Sequence, residues 1–134
     1  MTLGVRGVIL NEKEGSVFLI RHTYVPGWQL PGGGVETGET MEEALRRELQ
    51  EEGNIELLSP PRLVSMHHNT IASRRDHVGV YVITNYHQTS VKQPDHEIAE
   101  AGFFPVGQLP SGITPGTARR IAEATGGAAV SPNW

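Results

Sequence analysis

The stretch from Gly32 to Ile55, G-G-G-V-E-T-G-E-T-M-E-E-A-L-R-R-E-L-Q-E-E-G-N-I, constrains this chain more than any other. It opens as a glycine-rich loop and becomes a helix with carboxylates where a helix has little use for them. Thr40, with Glu43 three residues on, forms a capping box and predicts a helix that starts at Met41. Gly53 and Asn54 predict its end, being the residue types most at ease in the left-handed conformation that closes helices.

On a wheel of about 100° per residue with Glu48 at zero, Met41, Ala44, Leu45 and Leu49 fall at roughly 20°, −40°, 60° and 100°. That arc is the apolar stripe expected to face the core. Glu52 and Glu51 fall at about 40° and −60°, so with Glu48 they share or border the stripe. A solvated face with i,i+4 pairs accounts for Glu42, Glu43 and Arg46, but not for Glu48 and Glu52. Glu51 and Glu52 also occupy the last turn, where the helix dipole disfavours carboxylates. Acids crowded together raise one another's pKa or splay apart. A divalent cation resolves both conflicts, and all-oxygen donors favour Mg²⁺ or Mn²⁺ over zinc.

The stretch resembles the signature of the MutT-like Nudix hydrolases, G-x5-E-x7-R-E-U-x-E-E-x-G-U, where U is apolar. Gly33, Glu39, Arg47, Glu48, Leu49, Glu51, Glu52 and Ile55 match it in register, and Asn54 stands where the family has glycine. The lead-in G-W-Q-L-P-G-G-G-V-E extends the likeness. The resemblance implies an α/β/α sandwich around a mixed β-sheet, within the α+β class. It implies metal ligation by Gly33, Glu48, Glu51 and Glu52, with Glu39 and Arg47 buttressing the loop and orienting the glutamates. It also implies cleavage of a phosphoric anhydride bond in a nucleoside diphosphate linked to another moiety. The general base then comes from the helix (Glu51 or Glu52) or from a later glutamate, Glu97 ahead of Glu100. Trp28 either stacks a nucleobase or plugs the core. Arg21, Arg74 and Arg75 are candidate phosphate ligands, with a solvated turn the plainer reading of the latter two. The rival from another class is a Nudix-fold module that senses a nucleotide without cutting it. Such proteins usually lose signature glutamates, and this chain keeps all three.

The remaining sequence narrows the partners. A chain of 134 residues is the length of one domain, taken here as 1–134, with 128–134 expected to trail as a loose tail. A net charge of −4 gives no basic footprint for nucleic acid, so a small nucleotide is the expected substrate. No apolar run approaches the ~20 residues that span a bilayer, and without a signal-peptide pattern a cytoplasmic location is the default. Absence of cysteine excludes disulfides and thiolate metal sites. Nothing bears on oligomeric state. The six histidines show no ligand spacing.

Element by element, residues 3–10 and Ser16–His22 predict a hairpin, and Arg62–Thr70 a strand. His77–His87 predicts one long strand, and Glu97–Phe104 the last. Thr114 before Pro115, with Gly126-Gly127 beyond, brackets a second helix that docks through Ala118, Ile121, Ala122 and Thr125.

Overall fold

The two apolar runs at the start pair as the sequence predicts. The computed structural model describes residues 2–71 and 73–134. Its elements are β1 (Thr2–Asn11), β2 (Ser16–His22), β3 (Trp28–Gln29), β4 (Gly32–Gly34), α1 (Met41–Gly53), β5 (Ile55–Leu57), β6 (Arg62–His68), β7 (Asp76–Ile83), β8 (Tyr86–Gln88), β9 (Ile98–Pro105) and α2 (Pro115–Thr125). The β1–β2 hairpin turns through Gly15 at φ 65°, a value that favours glycine.

β1 is the spine of a mixed sheet. From Thr2 to Ile9 it runs parallel to β7, while Gly4–Arg6 pair antiparallel with β4 on the other edge. Its last residues pair with β2, which also carries β3 and β9. β6 lines the far side of β7, and β5 and β8 form a separate two-stranded ribbon. Both sheet faces are covered. Val5, Ile9 and Phe18 pack with Ala44, Leu45 and Leu49 of α1, while Val8, Val17, Leu19 and Val80 pack with Ile121 of α2. Strands buried on both faces read as continuous apolar runs, which explains V-I-L and V-F-L-I. The layers are the expected α/β/α sandwich.

Four expectations need correction. The glycine run is not simply a loop, because Gly32–Gly34 form strand β4 against β1. Close approach to Val5 demands glycine at 32, where a Cβ would lie 2.0 Å from the Val5 carbonyl oxygen. The long strand over His77–His87 breaks at Thr84–Asn85, and Tyr86–Gln88 instead pair with β5. α2 has its predicted bounds but a different buried face. Gly116, Thr117, Arg120 and Ile121 are inside, while Ala122 and Thr125 are exposed. Finally, the C-terminal segment is docked: His68 N–H donates to Pro132 O at 2.7 Å and Trp134 N–H to His68 O at 2.9 Å. Among the described residues no helix is long and apolar enough to cross a membrane.

Candidate active site

α1 carries the site, and its ends are set by the residues that predict them. The Thr40 hydroxyl accepts from the Glu43 N–H at 3.0 Å, and the Glu43 carboxylate accepts from the Thr40 N–H at 2.9 Å. Asn54 takes φ 54°, ψ 38° at the C-cap, so it does the work of the glycine usual at this position.

Glu52 is 6% exposed, and its Oε1 accepts the Gly32 N–H at 2.7 Å. Burial pushes its pKa up to about 8, reinforced by the like charge of Glu48 and opposed by the Gly32 N–H and Arg6. Glu48 lies one turn earlier on the same face. Burial raises its pKa as well, against the pull of Arg47. Its carboxylate rests on Gly33, where an added Cβ would stand 2.5 Å from Oε1. Arg6, inside β1, donates to Leu30 O at 2.7 Å and feels both carboxylates.

Arg47 ties the loop to the helix. It grips Glu39 bidentately at 2.8 and 2.9 Å and also donates to Glu48 at 2.9 Å and to Gly34 O at 3.2 Å. Those bonds, with one from the Glu36 N–H, hold the Glu39 pKa down to about 2. The third signature acid stands apart: the Glu51 side chain is 57% exposed, 3.9 Å from Arg47. Among the described residues no three His, Asp or Glu side chains are gathered as a metal cage.

Glu97 lies just before β9, its side chain exposed and 3.7 Å from His96. Its charge reaches His22, whose pKa is lowered by burial and Arg6 and raised back by Glu97. His22 Nε2 in turn stands 3.9 Å from Glu52 Oε2. Glu100 is engaged otherwise, in an ion pair with Arg21. A cavity of about 820 Å³ opens on the α2 side of the sheet, lined by Arg6, Leu30, Gly33, Gly34, Thr117 and Trp134 among others.

Trp28 and Arg21, the candidate substrate contacts, lie together. Trp28 packs edge-on against Phe104 at 4.8 Å in the α2-side core, and Arg21 sits over its ring. Neither lines the cavity. Arg74 and Arg75 are exposed on their turn. Two further residues stand at the site, Arg6, which sequence reasoning missed, and His22, which it set aside with the other histidines for want of ligand spacing. Arg6 had a signal, being a lone cation in an apolar strand. His22 had none, since a bulge at Arg21–His22 turns it towards a glutamate far along the chain.

The glycine strand thus rests on the half-buried Glu48 carboxylate and the buried Glu52, and it borders the open cavity. The NUDIX domain model matches residues 1–124, and the chain belongs to the Nudix hydrolase family. Solved structures similar to it include a MutT Nudix hydrolase from Burkholderia pseudomallei, 27% identical, with a TM-score of 0.76 over 92% of this chain and 97% of that one. A MutT protein from Methanosarcina mazei Go1 is 24% identical, with a TM-score of 0.70 over 92% and 91%. Among curated relatives, an RNA pyrophosphohydrolase from Stenotrophomonas maltophilia is 50% identical over 46 residues. That match spans 34% of this chain and only 22% of the relative's length.

Proposed function

We propose that this protein cleaves a phosphoric anhydride bond in a nucleoside diphosphate linked to another moiety, a nucleoside triphosphate or a small nucleotide conjugate, with Mg²⁺ or Mn²⁺. The observation that carries the reading is Glu52, a buried carboxylate beside a second one, Glu48, with its pKa driven to about 8. Burying like charges together is costly without a cation between them. All-oxygen donors suit a hard divalent ion. Glu48 and Glu52 are the principal ligands, with Glu51 and the Gly33 backbone completing the set. When bound, the ion polarises the phosphoryl oxygens and activates a water for attack.

The chain's own residues do the rest. Arg47 holds Glu48 in place and, through Glu39, fixes the loop. Gly32 fixes the Glu52 carboxylate by its N–H. Glu97 takes the proton from the attacking water, in preference to Glu100, which Arg21 already occupies. The cavity beside Gly33 and Gly34 receives the nucleotide, and Arg6 supplies positive potential at its inner end.

The test is phosphate or pyrophosphate release from ordinary and oxidised triphosphates, ADP-ribose, sugar nucleotides and dinucleoside polyphosphates, with Mg²⁺ and with chelator. Metal-dependent cleavage of one class is the expected result. Absence of turnover, with tight metal-dependent binding of one nucleotide, would instead identify a sensor.

A further inference from the structure

The last residues of the chain are built into the cavity. Ser131 N–H donates to Glu123 at 2.9 Å, and its carbonyl takes a 2.6 Å hydrogen bond from His67 Nδ1. His68 brackets the next turn, receiving Trp134 N–H on its carbonyl and donating its own N–H to Pro132. Arg120 is 1% exposed and donates to the carbonyls of Asn133 and Trp134 at 3.0 and 2.9 Å, while Glu123 neutralises it. A buried guanidinium left without partners is strongly unfavourable, so this segment and α2 hold each other.

The indole is fixed as a result. Arg120 lies over the ring at 5.1 Å, and His67 meets it edge-on at 6.0 Å. Its pyrrole edge fits against Gly116, where a Cβ would come within 2.3 Å of Nε1. The same ring lines the large cavity.

Position gives it meaning. Across the sheet the order is β4, β1, β7, β6, with the 131–134 segment on the outer edge of β6. Four strand spacings of ~4.8 Å, roughly 19 Å, separate β4 from the 131–134 segment beyond β6, and the indole reaches back from that segment to His67 of β6. Gly33, resting on Glu48, bounds one side of the cavity and Trp134 the other, a span that a nucleoside and its phosphates bridge. Asn69 and Asp76 also line the cavity, and among the described residues the buried Asn69 Oδ1 has no hydrogen-bond partner.

We propose that Trp134, held by Arg120 and the β6 edge, is the surface against which the substrate's nucleobase packs, with the phosphates towards Gly33 and Glu48. The inference rests on the nucleotide reading above. Trp134 acts in binding and positioning, not in the chemical step.

Two measurements test it. In steady-state kinetics on whichever nucleotide the wild type hydrolyses, Trp134→Ala is expected to raise KM about tenfold or more, since base–aromatic stacking is sequence-tolerant and substantial. kcat should stay within about threefold, and Trp134→Phe should recover most of the KM. An unchanged KM in folded Trp134→Ala would overturn the proposal while leaving the hydrolase reading intact. Independently of turnover, Trp28→Phe leaves Trp134 as the sole tryptophan. ADP, GDP, CDP or UDP should then quench its fluorescence, and inorganic pyrophosphate should not. No quenching by any of the four, or equal quenching by pyrophosphate, would overturn the proposal. Quenching without turnover in the wild type would keep it and defeat the hydrolase.

Discussion

The backbone N–H of Gly32 donates to the carboxylate of Glu52 at 2.7 Å, joining the first residue of the glycine strand to the last turn of α1. The bond satisfies one oxygen of a carboxylate that sits at the unfavourable end of a helix dipole and out of water. It also makes loop and helix one unit, so the site is set by backbone as much as by side chains.

Gly33→Ala is predicted to damage catalysis more than folding. Its φ is not among the positive values, so alanine meets no backbone strain, but its Cβ must displace the Glu48 carboxylate. Misplacement of that size is expected to lower kcat on the order of a hundredfold. Kinetics beside a thermal melt will check it; a kcat near wild type would mean that Glu48 is not held against Gly33 during turnover.

Glu97→Gln and Glu100→Gln should separate. The first is predicted to lower kcat on the order of a hundredfold, as loss of a general base does. The second breaks an exposed pair with Arg21, worth no more than about 1 kcal/mol, and should leave the rate alone. If neither changes the rate, the base lies on α1.

Metal-free protein should reveal the strain at Glu52. Its folded pKa, about 8, lies above the ordinary 4.5, so the folded state holds the proton more tightly than the unfolded chain. The resulting stability is fully present below 4.5 and is lost as pH rises through about 8. In chelator, therefore, Glu52→Gln should melt higher than wild type at pH 8.5, and the gap should close towards pH 5. A gap that widens on acidification would contradict the assigned direction.

Arg47→Lys preserves charge but cannot reproduce the fork on Glu39. Activity is predicted to fall about ten- to a hundredfold, as when support for metal ligands is removed. Glu39, freed of its paired donors, should then titrate well above 2, which NMR of the carboxyl carbon will report.

The signature helix was legible because its evidence is local. A capping box, an apolar arc and misplaced acids all lie within one periodic element, and Asn54 closed it as its residue type predicts. The hairpin and both helix bounds were legible for the same reason. What was not legible depends on distant partners. Gly32–Gly34 form a strand only because β1 is beside them. Arg120 was hidden because polarity marked it for solvent, whereas Glu123 and two carbonyls of the final residues take it inside. The C-terminal segment, A-A-V-S-P-N-W, has no periodic pattern and gave no sign that His68 would pair with it. Trp28 and Trp134 both pack against the α2-side core, and Trp134, within the segment expected to trail, also borders the cavity.

In the proposed function, Glu52 holds the cation that makes this site hydrolytic. The most direct test compares wild type and Glu52→Gln for nucleotide hydrolysis in Mg²⁺, with a thermal melt of each. Glu52→Gln is expected to stay folded and lose nearly all activity, as the wild type does in chelator. Full activity in the folded variant would contradict it.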